Sequence, residues 1–133
     1  MFKYSLFTCI FLLAMAAEAK EESYQVVTEI KLSSDEKLIV KSSPHLSTRK
    51  MSKVILNYIG KKPLQVLSFD AEMPDHNHGM IVKPTAPKPY GKGERSFLIE
   101  GVKLHMPGSW VLKIKTMVNG STKEIRHPFN VSL

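Results

Sequence analysis

Between Met73 and Met80 the chain reads MPDHNHGM, which puts two imidazoles, two thioethers and a carboxylate in one short stretch. His76 and His78 are one residue apart, and on an extended backbone side chains at i and i+2 leave the same face, so the two rings can share an ion. Pro74 and Gly79 bracket the pair and favour a shaped loop over a plain strand. Met73 precedes His76 by three residues and Met80 follows His78 by two, so either thioether can reach an ion held by the pair. A second cluster, LHMPGSW, sets His105 beside Met106 at the mouth of a Pro107-Gly108 turn. Met73, Met80 and Met106 thus lie in histidine-containing segments, whereas Met51 and Met117 do not.

Imidazole with thioether and no thiolate suits copper, because Cu(I) accepts soft sulfur while Cu(II) prefers nitrogen and oxygen. Zinc is the lesser candidate: it would use His76, His78 and His105 with Asp75 and leave the thioethers as bystanders. The candidate metal ligands are therefore His76, His78, His105, Met80 and Met106, with Met73 in reserve. Each has an ordinary reading too. Loop histidines are often merely solvated, methionines fill gaps in cores, and His105 can simply bond the turn backbone. What sets these residues apart is that two clusters share one composition. His127, on the apolar side of the last strand, reads as a satisfied core or edge histidine. His45, in a polar loop, has no assigned role, and Trp110 reads as core.

Catalysis has thinner support. Asp70, Glu72 and Asp75 crowd the first cluster, and an acid can orient a histidine as a base. Yet no serine sits in a nucleophile elbow, and glycine-rich phosphate loops are missing. The acids are expected to orient the histidines from behind.

The elements that must position these residues are strands. In SWVLKIKTMVNG, Trp110, Leu112, Ile114, Thr116 and Val118 alternate with Val111, Lys113, Lys115 and Met117, the pattern of a half-buried strand. Asn119-Gly120 then marks a hairpin turn. The return strand, EIRHPFNVSL, contains Pro128, which cannot donate to a ladder and so predicts an edge position or a bulge. A strand from about Phe97 to Leu104 carries Gly101, a hint of a bulge. Four more short segments, YQVVTEIKL, KLIVK, KVILNYI and PLQVLSFDAEM, are rich in β-branched and aromatic residues. PTAPKPYGKGE, with its prolines and glycines, reads as a loop. About seven short strands in roughly a hundred residues predict an all-β fold, an antiparallel immunoglobulin-like β-sandwich, with a small barrel as the alternative.

Met1 to Ala19 reads as a signal peptide: Lys3, then the apolar LFTCIFLLAMAA, then a small-x-small site at Ala17-Glu18-Ala19. At about a dozen residues the apolar run is too short to span a bilayer. A single domain from Lys20 to Leu133, periplasmic or secreted and without a transmembrane span, is expected. With Cys9 gone no thiol remains, which excludes disulfides, thiol catalysis and thiolate ligation. The formal charge is +7, from 19 Lys and Arg against 12 Asp and Glu. The cations are scattered in nothing denser than pairs, without interleaved aromatics, which argues against nucleic acid as a partner.

With AEMPDHNHGM followed by a proline-containing loop and then FLIEGVKLHMPGSWVLKIK, the chain resembles the YtkA-like/FixH-like family of exported bacterial domains. Members typically show Met-Pro-x-His-x-His-Gly-Met and later His-Met-Pro-Gly-x-Trp. Met73, Pro74, His76, His78, Gly79 and Met80 match the first motif, and His105, Met106, Pro107, Gly108 and Trp110 the second. The match spans roughly Leu64 to Leu133. The resemblance implies an immunoglobulin-like sandwich akin to CopC-type periplasmic copper carriers; a periplasmic or membrane metal-handling protein is the expected partner. The expected function is copper carriage or buffering by an exported, non-catalytic protein. A protein-interaction module with no metal is the first rival and a zinc-dependent hydrolase the second.

Overall fold

The structure, a computed structural model, describes residues 22–132 apart from residue 94. The expected signal peptide, Lys20 and Leu133 lie outside the described residues. Among the described residues nine strands run in chain order: β1 (Gln25–Lys31), β2 (Lys37–Ser43), β3 (Ser52–Ile59), β4 (Gln65–Met73), β5 (His78–Gly79), β6 (Lys88–Pro89), β7 (Ser96–Val102), β8 (Gly108–Val118) and β9 (Ser121–Val131). They form two sheets, β1-β2-β3-β7-β6 and β5-β4-β8-β9, in which every pairing is antiparallel.

Without β1, the first sheet has the order β2-β3-β7-β6 and the second β4-β8-β9. That is the strand order of the immunoglobulin sandwich, with β5 added beside β4 and β1 added outside β2. The seven expected strands are all present. The departure is β6, which lies in the segment expected to be only a loop: Lys88 and Pro89 pair with Leu98 and Phe97 at the sheet edge. An edge strand offers one side to solvent, so a proline there costs no ladder bond. Pro128 is accommodated on the same ground, since β9 is the outer strand of its sheet.

Alternation builds the core. Trp110, Leu112, Ile114 and Thr116 of β8 are buried and meet Val66, Phe69, Ala71 and Met73 from β4. Val54, Leu56, Ile99 and Val102 close over them from the opposite sheet. Asn119 (φ 49°) and Gly120 (φ 79°) both take positive φ, as a two-residue primed hairpin turn requires. At Gly101 the expected bulge is present, with Glu100 and Gly101 together opposing Lys53.

Register decides what stands at each pole. Gln65 pairs with Met117 and Glu72 with Val111, so the end of β4 lies beside the start of β8. Ser52 pairs with Val102 and Lys53 with Ser43, which brings the ends of β7 and β2 to the same pole. Both histidine-bearing turns, β4–β5 and β7–β8, therefore emerge at one end of the sandwich.

Candidate functional site

The first turn is tighter than an extended reading of His76 and His78 allows. Met73 pairs with His78, closing a hairpin around a 3-10 turn over Pro74–His76. Pro74 suits the start of that turn because its fixed φ is already helical and its missing N–H has no partner to lose. Asn77 takes the left-handed conformation (φ 49°, ψ 42°) and its N–H donates to the Pro74 carbonyl at 3.2 Å. Asparagine tolerates that conformation better than most residues. The rings of His76 and His78 end 5.8 Å apart by turn geometry, not by strand alternation.

The second turn places His105 against the same group. Its ring centroid lies 5.3 Å from that of His78, with planes inclined by 34°. Gly108 has φ of +125°, which a side chain would strain, and a Cβ there would sit 3.1 Å from Met73 Cε. Trp110 holds the arrangement from below. Its ring stands edge-on to His105 at 5.5 Å and to His78 at 6.1 Å, and its Nε1–H donates to the Met106 carbonyl at 2.9 Å.

Two nitrogens have telling environments. His78 Nδ1 lies 3.2 Å from the Gly79 carbonyl, and a carbonyl only accepts, so this contact requires the proton on Nδ1 and leaves the Nε2 lone pair free. His105 Nδ1 is buried without a hydrogen-bond partner. Such an unpaired group costs about 1–3 kcal/mol, which makes it an exception to be explained. Burial, reinforced by His78 and then Lys103, pushes the His105 pKa below the ordinary histidine value.

The candidate thioethers divide. Met73 is fully buried in the core beneath Gly108, whereas Met80 and Met106 are half-buried and pack against the edge of the core. His76 is exposed. With a metal–nitrogen bond of about 2.0 Å, two imidazoles on one ion at tetrahedral to trigonal angles have ring centroids roughly 5.2–5.5 Å apart. The His78–His105 separation fits that range, and the His76–His78 separation is slightly wider. Among the described residues no three His, Cys, Asp or Glu side chains converge as a metal-binding group, and the closest imidazole pair of this cluster is His78 with His105.

One expectation is corrected. The nearby acids do not orient the histidines: among the described residues no carboxylate hydrogen-bonds to an imidazole. Glu72 alternates outward on β4 and pairs with Arg126 and with Lys113, the latter at 3.4 Å, and these partners hold its carboxyl below the usual range. Asp70 accepts the Ala71 N–H, and Asp75 is exposed. His127 lies apart from the cluster. Its Nε2 is 3.1 Å from Thr28 Oγ1, linking β9 to β1 across the sandwich edge. His45 is exposed on the β2–β3 loop. Trp110 is the residue that sequence reasoning undervalued, since alternation marks it as core and is silent on what its ring edge and N–H touch.

Fold and site together define a class, an immunoglobulin-like sandwich with a His/Met cluster at one pole. Comparison of the chain with known protein families, with curated proteins and with solved structures finds no match.

Proposed function

We propose that this chain is an exported domain that binds one copper ion for carriage or buffering, not catalysis. The observation that carries the reading is the meeting of His78 and His105, from turns nearly thirty residues apart in sequence, at 5.3 Å between ring centroids. His78 and His105 would supply nitrogen and Met80 and Met106 sulfur, with His76 flanking the pair on the exposed side. Met73 is reassigned to packing beneath the second turn. Copper is favoured over zinc because both histidine-bearing turns also carry a half-buried thioether, Met80 and Met106. No carboxylate hydrogen-bonds to an imidazole among the described residues, which gives a zinc hydrolase no oriented histidine base. The likeness to the YtkA-like/FixH-like motifs, which His76, His78, His105 and Met106 share, supports the reading from a separate direction, as does the signal-peptide pattern at Met1 to Ala19.

The test is thermal unfolding of the chain from Lys20 onward with Cu(I) without oxygen and Cu(II) in air. Copper at about a hundredfold excess over its dissociation constant should add about 2.7 kcal/mol and raise Tm by several degrees. His76→Ala with His78→Ala should remove most of that rise. A Tm that ignores both copper states would favour the metal-free interaction module.

A further inference from the structure

Beside the histidines, the same pole carries two apolar loop tips flanked by cations. Ile81 and Val82 are 77% and 47% exposed, followed by Lys83. Met51 is 50% exposed and follows Arg49 and Lys50. The two tips are neighbours by sheet register. Ser52, next to Met51, pairs with Val102. Thr85 donates its N–H to the Glu100 carbonyl at 3.0 Å and accepts the Glu100 N–H on Oγ1 at 2.9 Å. The segment after Ile81 and Val82 therefore runs along β7, while β3 lies along the other side of β7. Lys103 leaves β7 between them. The acids toward this pole include Asp75, Glu22, Glu72 and Glu100, but Glu22 is paired with Lys53 at 2.8 Å, Glu72 with Arg126 and Lys113, and Glu100 lies 4.0 Å from Lys88.

We propose that this pole docks onto an anionic lipid surface, with Met51, Ile81 and Val82 entering the interfacial region and Arg49, Lys50, Lys83 and Lys103 meeting phosphates. Aliphatic side chains gain from leaving water at the headgroup boundary, and each nearby cation adds attraction to an anionic leaflet. A protein partner fits the patch less well. Protein interfaces are enriched in aromatic residues and depleted in lysine, whereas this patch has no aromatic residue and three lysines. Docking in this way would turn the face bearing His76, His78 and His105 toward the bilayer. The proposal does not depend on whether that face binds copper.

The test is metal-free co-sedimentation of the chain from Lys20 onward, which contains every strand of both sheets, with phosphatidylglycerol/phosphatidylcholine vesicles. The chain should partition onto these vesicles, and do so poorly onto phosphatidylcholine alone or in high salt. Ile81→Ser with Val82→Ser should weaken partitioning about tenfold, and Lys50→Gln or Lys83→Gln about fivefold each. These residues are exposed, so Tm should hold; Met51→Ser offers an independent check from the other loop. No binding to anionic vesicles, equal binding to neutral ones, or binding indifferent to these substitutions would overturn the proposal, and the first result would leave the patch to a protein partner. None of those outcomes touches the copper titration, which reads different residues.

Discussion

The two poles of the sandwich are built on different plans. The pole opposite the histidines holds a groove of about 1010 Å³ lined by residues that include Tyr58, Lys61, Lys62, Leu64, Arg95 and Phe97. Its conspicuous features have local structural roles. The Arg95 guanidinium lies 5.6 Å from the Tyr58 ring centroid and donates to the Gly60 carbonyl, closing the turn after β3. Gly60 is glycine for want of room, since a Cβ there would fall 2.3 Å from Tyr58 Oη. The histidine pole instead gathers three imidazoles and two half-buried thioethers. Volume and chemistry are separate properties here. A bare ion needs a few donors a few ångströms apart, and short turns supply those better than a groove does.

That contrast can be broken in order of expected effect. Gly60→Ala should cost about 1–3 kcal/mol through overpacking against Tyr58, seen as a lower Tm, while the folded protein binds copper as before. Damage to copper affinity of the same size would show that the poles are coupled. Trp110→Phe tests the other end. It keeps a ring in the core but loses the hydrogen bond to the Met106 carbonyl, at about 0.5–1.5 kcal/mol. It should lower copper affinity about tenfold if the placement of Met106 matters, whereas a purely structural tryptophan would change Tm alone.

The smallest expected effect is that of pH. Burial lowers the pKa of both His105 and His127 from the ordinary value of 6.5. The unfolded chain then binds more protons than the native one, so this contribution is complete above pH 6.5 and is lost as the pH falls below it. Tm should decline over that acid range, and His127→Gln, which can keep a bond to Thr28, should flatten the decline. A Tm that instead rises on acidification would contradict the assigned direction.

Local chemistry made much of this molecule readable in advance. Alternation from Trp110 to Val118, the Asn119-Gly120 turn and the bulge at Gly101 are short-range features with one physical solution each. Strand order and pole assignment depend on pairings such as Glu72 with Val111, between residues far apart in the chain, and no local pattern specifies them. The pairing of Lys88 and Pro89 with β7 was hidden for a related reason, because two ladder residues at a sheet edge leave no alternation to detect. The acids misled for a geometric reason. Asp70, Glu72 and Asp75 are near the histidines along the chain, but Asp70 and Glu72 alternate with the inward Ala71 and Met73, so the pleat turns them away. Composition nominated the candidate donors, whereas the 3-10 turn and the left-handed Asn77 set the spacing of the first pair.

The shared site is tested most directly by a double-mutant cycle on copper affinity, using His78→Ala, His105→Ala and the pair together. One equivalent of copper should bind the parent chain, and each single change should weaken it. The double variant should lose clearly less than the sum of the two, because residues holding one ion are coupled. Strictly additive losses, two independent equivalents, or a single change without effect would mean that the two turns lie side by side without sharing an ion.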